Sequence, residues 1–225
     1  MSSRLGWAEK NLGYRFTDAD LLDLALTHRS ASARNNERLE FLGDAVLGMV
    51  IANALVRRRP DAGEGTLSRI RSRLVRGETL SDIARELGLG ALVRLGSGEV
   101  RTGGHQRSSI LSNAVEAIIG AIYLDGGIAE AERVILWLYR DRLRELPAED
   151  ELTDPKTRLQ EWLQARGHQP PVYKVNKVAG AAHAQTFEVV CEVNVLGVAV
   201  AGHGASRRVA EQDAAAHALE QIIHG

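Results

Sequence analysis

The sequence predicts two modules in series: an all-α domain over about residues 4–147, then a small α+β domain of order α-β-β-β-α over residues 154–223. Three observations predict this. Apolar residues recur at i, i+3, i+4 and i+7 almost throughout 5–146, the period of amphipathic helices. The tract Pro147-Ala148-Glu149-Asp150-Glu151-Leu152-Thr153 then breaks the pattern with a proline and an acidic cluster, the composition of a solvated linker, placed at 148–153. Beyond it the period falls to two: Phe187, Val189, Cys191 and Val193 alternate with other residues, as a half-buried strand requires.

Composition bounds the rest. With 225 residues, 44% hydrophobic and 25% charged, the chain can bury a core. Its 28 Lys and Arg against 29 Asp and Glu give a net charge of -1, which excludes the strongly basic balance of a protein held to nucleic acid by bulk charge. The single cysteine, Cys191, excludes an internal disulfide and a cysteine zinc cluster; it fits a reducing compartment, so a cytoplasmic location is expected. No apolar run approaches the roughly 20 residues of a membrane span, and Met1 to Trp7 has no signal-peptide core, so neither membrane insertion nor export is expected.

The elements follow in order. Leu21, Leu22, Leu24 and Ala25 mark one helix, and Leu42, Val46, Met49 and Val50 a second. Leu80, Ile83, Ala84 and Leu87 mark a third, and Val115, Ile118, Ile119 and Ile122 a fourth. Between them, Gly96-Ser97-Gly98 and Gly103-Gly104 lack the lysine of a nucleotide-binding loop and read as flexible, so no NTP is expected. In the second module a helix over 155–166 precedes strands over 172–178, 187–193 and 195–201. The turn Gly202-His203-Gly204-Ala205-Ser206 then leads to an Ala-rich helix over 207–223, with Ser206 as its N-cap. Cys191 reads as a small core residue. His28, His105, His168, His203, His217 and His224 show no metal-type spacing and read as structural or surface residues.

Chemistry concentrates in Asn36-Glu37-Arg38-Leu39-Glu40-Phe41-Leu42-Gly43-Asp44-Ala45-Val46-Leu47. At about 100° per residue, Glu37, Glu40 and Asp44 share one helix face while Leu39, Leu42 and Val46 point away. Like charges at this spacing repel. Either arginines such as Arg38 neutralise a solvated acidic face, or the stripe holds a hard divalent cation, for which oxygen donors are suited. In Ser112-Asn113-Ala114-Val115-Glu116, Asn113 and Glu116 share a face of an otherwise apolar helix, where a lone carboxylate is costly. A metal shared with Glu40 would satisfy it. Phe41 lies nearer the carboxylates than the apolar stripe, which leaves packing inside the domain or a contact between subunits.

In the second module Arg207 and Arg208 stand at a helix N-terminus, where the dipole disfavours cations and backbone N–H groups favour a phosphate. They are either solvated and paired with Glu211 or a phosphate site; Gly202 and Gly204 suit close approach to a ligand. Thr157, Gln160, Glu161 and Gln164 form a polar stripe suited to the minor groove of A-form RNA, and the loop carrying His183 could reach another.

The segment 36–47 resembles the signature of the bacterial ribonuclease III family, the Mg²⁺-dependent endonucleases of double-stranded RNA. Ala25-Leu26-Thr27-His28-Arg29-Ser30, Glu64-Gly65-Thr66-Leu67-Ser68 and Glu116-Ala117-Ile118-Ile119-Gly120-Ala121 agree in order. The stripe, loop and arginine pair resemble a double-stranded-RNA-binding domain, so the likeness spans both modules. It implies an endonuclease domain and an RNA-binding domain, with Glu40, Asp44 and Glu116 in the metal and catalytic centre and Glu37 and Glu64 as further acids of the cleft. It implies Mg²⁺ as cofactor, with Mn²⁺ able to substitute, and a homodimer into whose partner subunit Phe41 packs. It also implies products with 5′-phosphate and 3′-hydroxyl ends, short 3′ overhangs, and precursors of ribosomal, messenger and transfer RNA as substrates. In this reading Glu40, Glu116 and the Asn113 oxygen hold the ion while Asp44 orients or deprotonates the attacking water. One position departs from the family pattern, which has aspartate where Asn113 stands. That departure keeps open a second expectation, a double-stranded-RNA-binding protein that does not cut.

Overall fold

The computed structural model describes residues 2–147, 154–180 and 185–224. The expected linker, 148–153, and the loop residue His183 lie outside the described residues. The chain divides into two compact units, residues 1–146 and 147–225.

The first unit is helical. α1 (Ser2–Leu12) and α2 (Ala19–Ala25) precede α3 (Glu37–Arg58); α4 (Glu64–Val75) and α5 (Gly77–Glu86) follow. A short α6 (Ser97–Arg101) leads to α7 (Ser108–Leu138) and α8 (Arg140–Arg144). α3 and α7 form the centre: Leu39, Val46, Leu47, Val50, Ile51 and Leu55 of α3 are buried, as are Ala114, Val115, Ala117, Ile118 and Ala121 of α7. The helical trace of α7 breaks at Gly127, whose φ of +77° favours glycine. Just before the break, Asp125 accepts hydrogen bonds from the Tyr14 hydroxyl (2.7 Å) and from the Thr17 and Asp18 N–H groups (2.9 and 2.8 Å). These bonds fasten the start of the chain to α7 and hold the Asp125 carboxyl below its ordinary pKa, against the opposing effect of desolvation.

Two expectations are corrected here. α3 contains a stretch long and apolar enough by composition to cross a membrane. Its few charges interrupt an otherwise apolar run, so a search for unbroken runs passes over it; in the fold its apolar face is core. The glycine-rich tract 96–98 is not a loop but the start of α6, and Gly96 docks against the chain at Ser30: a Cβ there would lie 2.2 Å from the Ser30 carbonyl oxygen.

In the second unit, α9 (Pro155–Gln164) is capped by the Asp154 carboxylate, which accepts from the N–H groups of Lys156 and Thr157. β1 (Val172–Ala179), β2 (Thr186–Val193) and β3 (Val198–Gly204) form one antiparallel sheet in that order, followed by α10 (Arg207–His224). Leu159, Leu163, Cys191, Val193, Val198, Ala214, Ala215, Ala218 and Leu219 make the core, with Cys191 fully buried in β2. β3 starts three residues later than the alternation suggests, because Asn194–Leu196 form a 3-10 turn closed by Gly197 at φ +62°. It also runs through Gly202 and Gly204. A Cβ on Gly202 would sit 2.1 Å from the Ala214 nitrogen, and one on Gly204 2.6 Å from that of Ala210. These glycines therefore seat α10 on the sheet, not a ligand on the backbone.

Candidate active site and nucleic-acid interface

The site is built where α3 and α7 cross, and two glycines set the crossing. A Cβ on Gly43 would meet the Glu116 carbonyl oxygen at 1.7 Å, and one on Gly120 would meet that of Leu39 at 2.2 Å. Main chain therefore packs on main chain. Glu40 and Asp44 flank Gly43 on α3, and Glu116 and Asn113 lie one and two turns before Gly120 on α7, so close packing delivers all four side chains to one place.

Electrostatics register that proximity. Burial, then Asp44, then Glu40 raise the Glu116 carboxyl from its ordinary value to about 7. Burial also raises Glu40; a hydrogen-bonding amide from Asn113 offsets part of the rise, whereas Glu37 and Asp44 add to it and Arg29 opposes it. Asn113 can serve a carboxylate only through its NH₂ group, and its Oδ1 accepts from the Ser112 hydroxyl at 3.3 Å. Asn113 and Glu40 line the same cleft, which keeps the amide within reach of the carboxylate.

The donor set fits a hard divalent cation: the carboxylates of Glu40, Asp44 and Glu116 and the Asn113 amide carbonyl are oxygen donors, and every influence on Glu116 disfavours its charged form in the absence of a cation. Among the described residues no three of His, Cys, Asp and Glu are already gathered as a formed metal site.

Beside Glu40 and Asn113 opens a polar cleft of about 320 Å³, lined also by His28, Arg29, Asn36, Glu37, Ser109 and Ile110. Glu37 borders it and pairs with Arg29 at 3.3 Å; Arg38, the compensating arginine considered from sequence, has no carboxylate partner among the described residues. Glu64, at the start of α4, is exposed, accepts from the Ser68 hydroxyl at 2.6 Å and does not line this cleft. His28, read from sequence as structural, does line it; lone histidines carry no spacing signal, so only the fold reveals it. Burial lowers its pKa, which favours the neutral imidazole.

Phe41 is 81% exposed and stands in an apolar depression with Leu21, Leu24, Leu42 and Leu124, so it is not packed inside its own unit.

In the second unit, Gln160, Glu161 and Gln164 are exposed on α9, whereas Thr157 is half-buried and donates its hydroxyl to Asp154 at 2.9 Å. Arg207 and Arg208 are both exposed at the start of α10, where the Ser206 hydroxyl accepts the Val209 N–H at 3.3 Å. Arg207 is tied by Nε to Glu211 Oε1 at 2.8 Å, and Lys156 holds Oε2 at 2.6 Å. Glu211 is only 9% exposed, and the two cations hold its carboxyl below the usual range. Lys156 also lies 4.5 Å from the centre of the Tyr173 ring. Sequence reasoning foresaw the Arg207–Glu211 pair but missed Lys156, which is distant in sequence.

An all-helical unit with an acidic helix crossing beside a polar cleft, joined to an α-β-β-β-α unit with cations at a helix start, defines a class of protein: a nuclease with its own duplex-RNA-binding module. The comparisons agree. Residues 18–142 match the family model described as Ribonuclease-III-like, and residues 155–222 that of the double-stranded RNA binding motif. Ribonuclease 3 of Pseudomonas aeruginosa strain UCBPP-PA14 is 57% identical over 220 residues, 97% of this chain and 96% of its own length. That of Vibrio parahaemolyticus is 52% identical over 225 residues, the whole of both chains. Among solved structures, the nuclease domain of ribonuclease III from Campylobacter jejuni is 43% identical with a TM-score of 0.60, covering 61% of this chain and 96% of that one. The chain belongs to the bacterial ribonuclease III family. It is accordingly an endoribonuclease of double-stranded RNA.

Proposed function

We propose that the α3–α7 crossing is the catalytic centre and that it cuts duplex RNA with the help of Mg²⁺, with Mn²⁺ able to substitute. The observation that carries this reading is the Gly43–Gly120 contact, which packs Glu40, Asp44 and Glu116 together although each raises the cost of ionising the next. Glu40, Glu116 and the Asn113 side-chain oxygen would hold the ion. When bound, it supplies Lewis acidity toward the phosphoryl oxygens and lowers the pKa of water. Asp44, the exposed member, is placed to orient the attacking water and accept its proton; the water oxygen bonds to phosphorus, the P–O3′ bond breaks and the departing 3′ oxygen takes a proton from solvent, giving 5′-phosphate and 3′-hydroxyl ends. Glu37 is the outlying acid of this centre, and Glu64, which does not line the cleft, is assigned to it by the family resemblance alone.

The second unit holds the duplex by the exposed stripe of α9, with Thr157 at its base, and by Arg207 and Arg208; we assign His183 to the same interface by its place in the sequence. Two copies pair through the Phe41 face, so that two centres cut opposite strands and leave short 3′ overhangs. The Campylobacter jejuni structure is described as showing flexibility in a region involved in dimer formation, which supports this pairing. Structured precursors of ribosomal, messenger and transfer RNA are the substrates in this reading, cytoplasm the compartment, and no NTP or membrane takes part. A single, fully buried Cys191 accords with a reducing compartment.

The test is cleavage of a long duplex RNA with Mg²⁺ at enzyme excess, alongside a gel shift. Wild type cuts; Glu116→Ala binds the duplex but does not cut; Asn113→Asp cuts at lower Mg²⁺. Intact RNA in a shifted wild-type complex overturns the catalytic assignment and favours the binder.

A further inference from the structure

The cleft beside the carboxylates has a second wall that the chemistry above does not use, and this wall is rigid. Residues 26–30 run between two supports. The His28 N–H donates to the Arg94 carbonyl and the Arg94 N–H to that of Leu26, at 3.0 and 2.7 Å. On the other side Asn36, 2% exposed, gives its N–H to Thr27 O and its Nδ2 to Ala25 O, at 2.9 and 3.2 Å. Gly96 closes the arrangement, its N–H donating to Ser30 Oγ at 3.0 Å.

These bonds fix the state of His28. Its Nδ1 accepts the Ser30 N–H at 3.2 Å and lies 2.8 Å from Ser30 Oγ. A nitrogen that accepts the Ser30 N–H carries no proton of its own, so the Ser30 hydroxyl, which accepts from Gly96, is the donor of the second contact. Two donors on one nitrogen make it the unprotonated one, so the ring is the neutral tautomer with its proton on Nε2. The ring lines the cleft, and Nε2 has no protein partner among the described residues. Beside it stands Arg29, exposed and held only loosely by Glu37 at 3.3 Å. A fixed neutral donor and a cation bordering proposed metal-holding acids match one chemical unit, a ribose with its phosphate: hydroxyl against the neutral donor, non-bridging oxygens against the guanidinium.

We infer that His28 and Arg29 form the subsite for the ribose–phosphate adjacent to the cleaved bond, with His28 Nε2–H donating to the 2′-hydroxyl, so that this wall helps the centre tell RNA from DNA. The inference rests on the catalytic assignment above. The experiment scans duplexes carrying one 2′-deoxy nucleotide at each position around a mapped cleavage site, comparing wild type, His28→Leu and His28→Gln. In wild type one adjacent position lowers kcat/KM about tenfold, the loss expected for one hydrogen bond. His28→Leu loses a similar factor on all-ribose duplex and no longer feels that substitution, whereas His28→Gln, which keeps an N–H donor, recovers most of the rate. The scan in wild type needs no variant, so misfolding of His28→Leu does not spoil the test. A flat scan by a fully active wild type overturns this inference alone, as do penalties that simply add in His28→Leu; a wild type that cuts no duplex overturns the catalytic assignment as well.

Discussion

Glu116 shows how a single side chain can bind stability to ionisation. Its carboxyl, raised to about 7, binds a proton more tightly folded than unfolded. Its contribution to stability is therefore complete below the unfolded value of about 4.5 and is lost as pH rises through 7. In metal-free buffer the melting temperature of wild type relative to Glu116→Gln should fall between pH 5 and about 8, and Mg²⁺ should flatten that fall by stabilising the carboxylate. A difference independent of pH would show that Glu116 ionises freely. Glu211 runs the other way. Its carboxyl is depressed by Lys156 and Arg207, so its contribution is present above the unfolded value and lost as pH falls through the lower, folded one. Removing it as Glu211→Ala leaves Lys156 and Arg207, both partly open to solvent, without their shared partner and should cost the second unit about 1 kcal/mol, read as an earlier melt.

At the scale of elements, the glycines separate into those that pack and those that do not. Gly43→Ala forces a carbon into the main chain of α7 and should destabilise the first unit by more than about 3 kcal/mol, abolishing cleavage with every carboxylate present. Gly48, on the same helix, has nothing within 4 Å of where a Cβ would be. Gly48→Ala should instead raise stability by about 0.5–1 kcal/mol through helix propensity, and thermal melts of the pair check both. The helices and the acidic face were legible in the sequence because period and charge are local properties. Glu37, Glu40 and Asp44 could be placed on one face by counting, and Glu116 singled out as a carboxylate in apolar surroundings. The partner of each group was not legible, since it is set by a crossing between segments more than sixty residues apart. In the second unit Lys156 reaches Glu211 across 55 residues, beyond any local pattern, and the strand start at Val198 is hidden because a 3-10 turn imitates alternation.

At the scale of the whole molecule, weak net charge and an exposed aromatic point the same way. A net charge of -1 gives little long-range pull on RNA, so affinity has to come from paired copies and local contacts. Phe41→Ser should shift the chain from dimer to monomer in sedimentation and make cleavage fall steeply on dilution, with the melt of each unit nearly unchanged because Phe41 is 81% exposed. A variant that stays dimeric would move the interface elsewhere. The contact between Gly43 and the Glu116 carbonyl has one more consequence, for genetics. The residue proposed to carry the chemistry lends its own backbone to the scaffold, so a screen for lost activity returns damaged chemistry and damaged architecture from the same few codons. Only a screen that also scores RNA capture can sort the two.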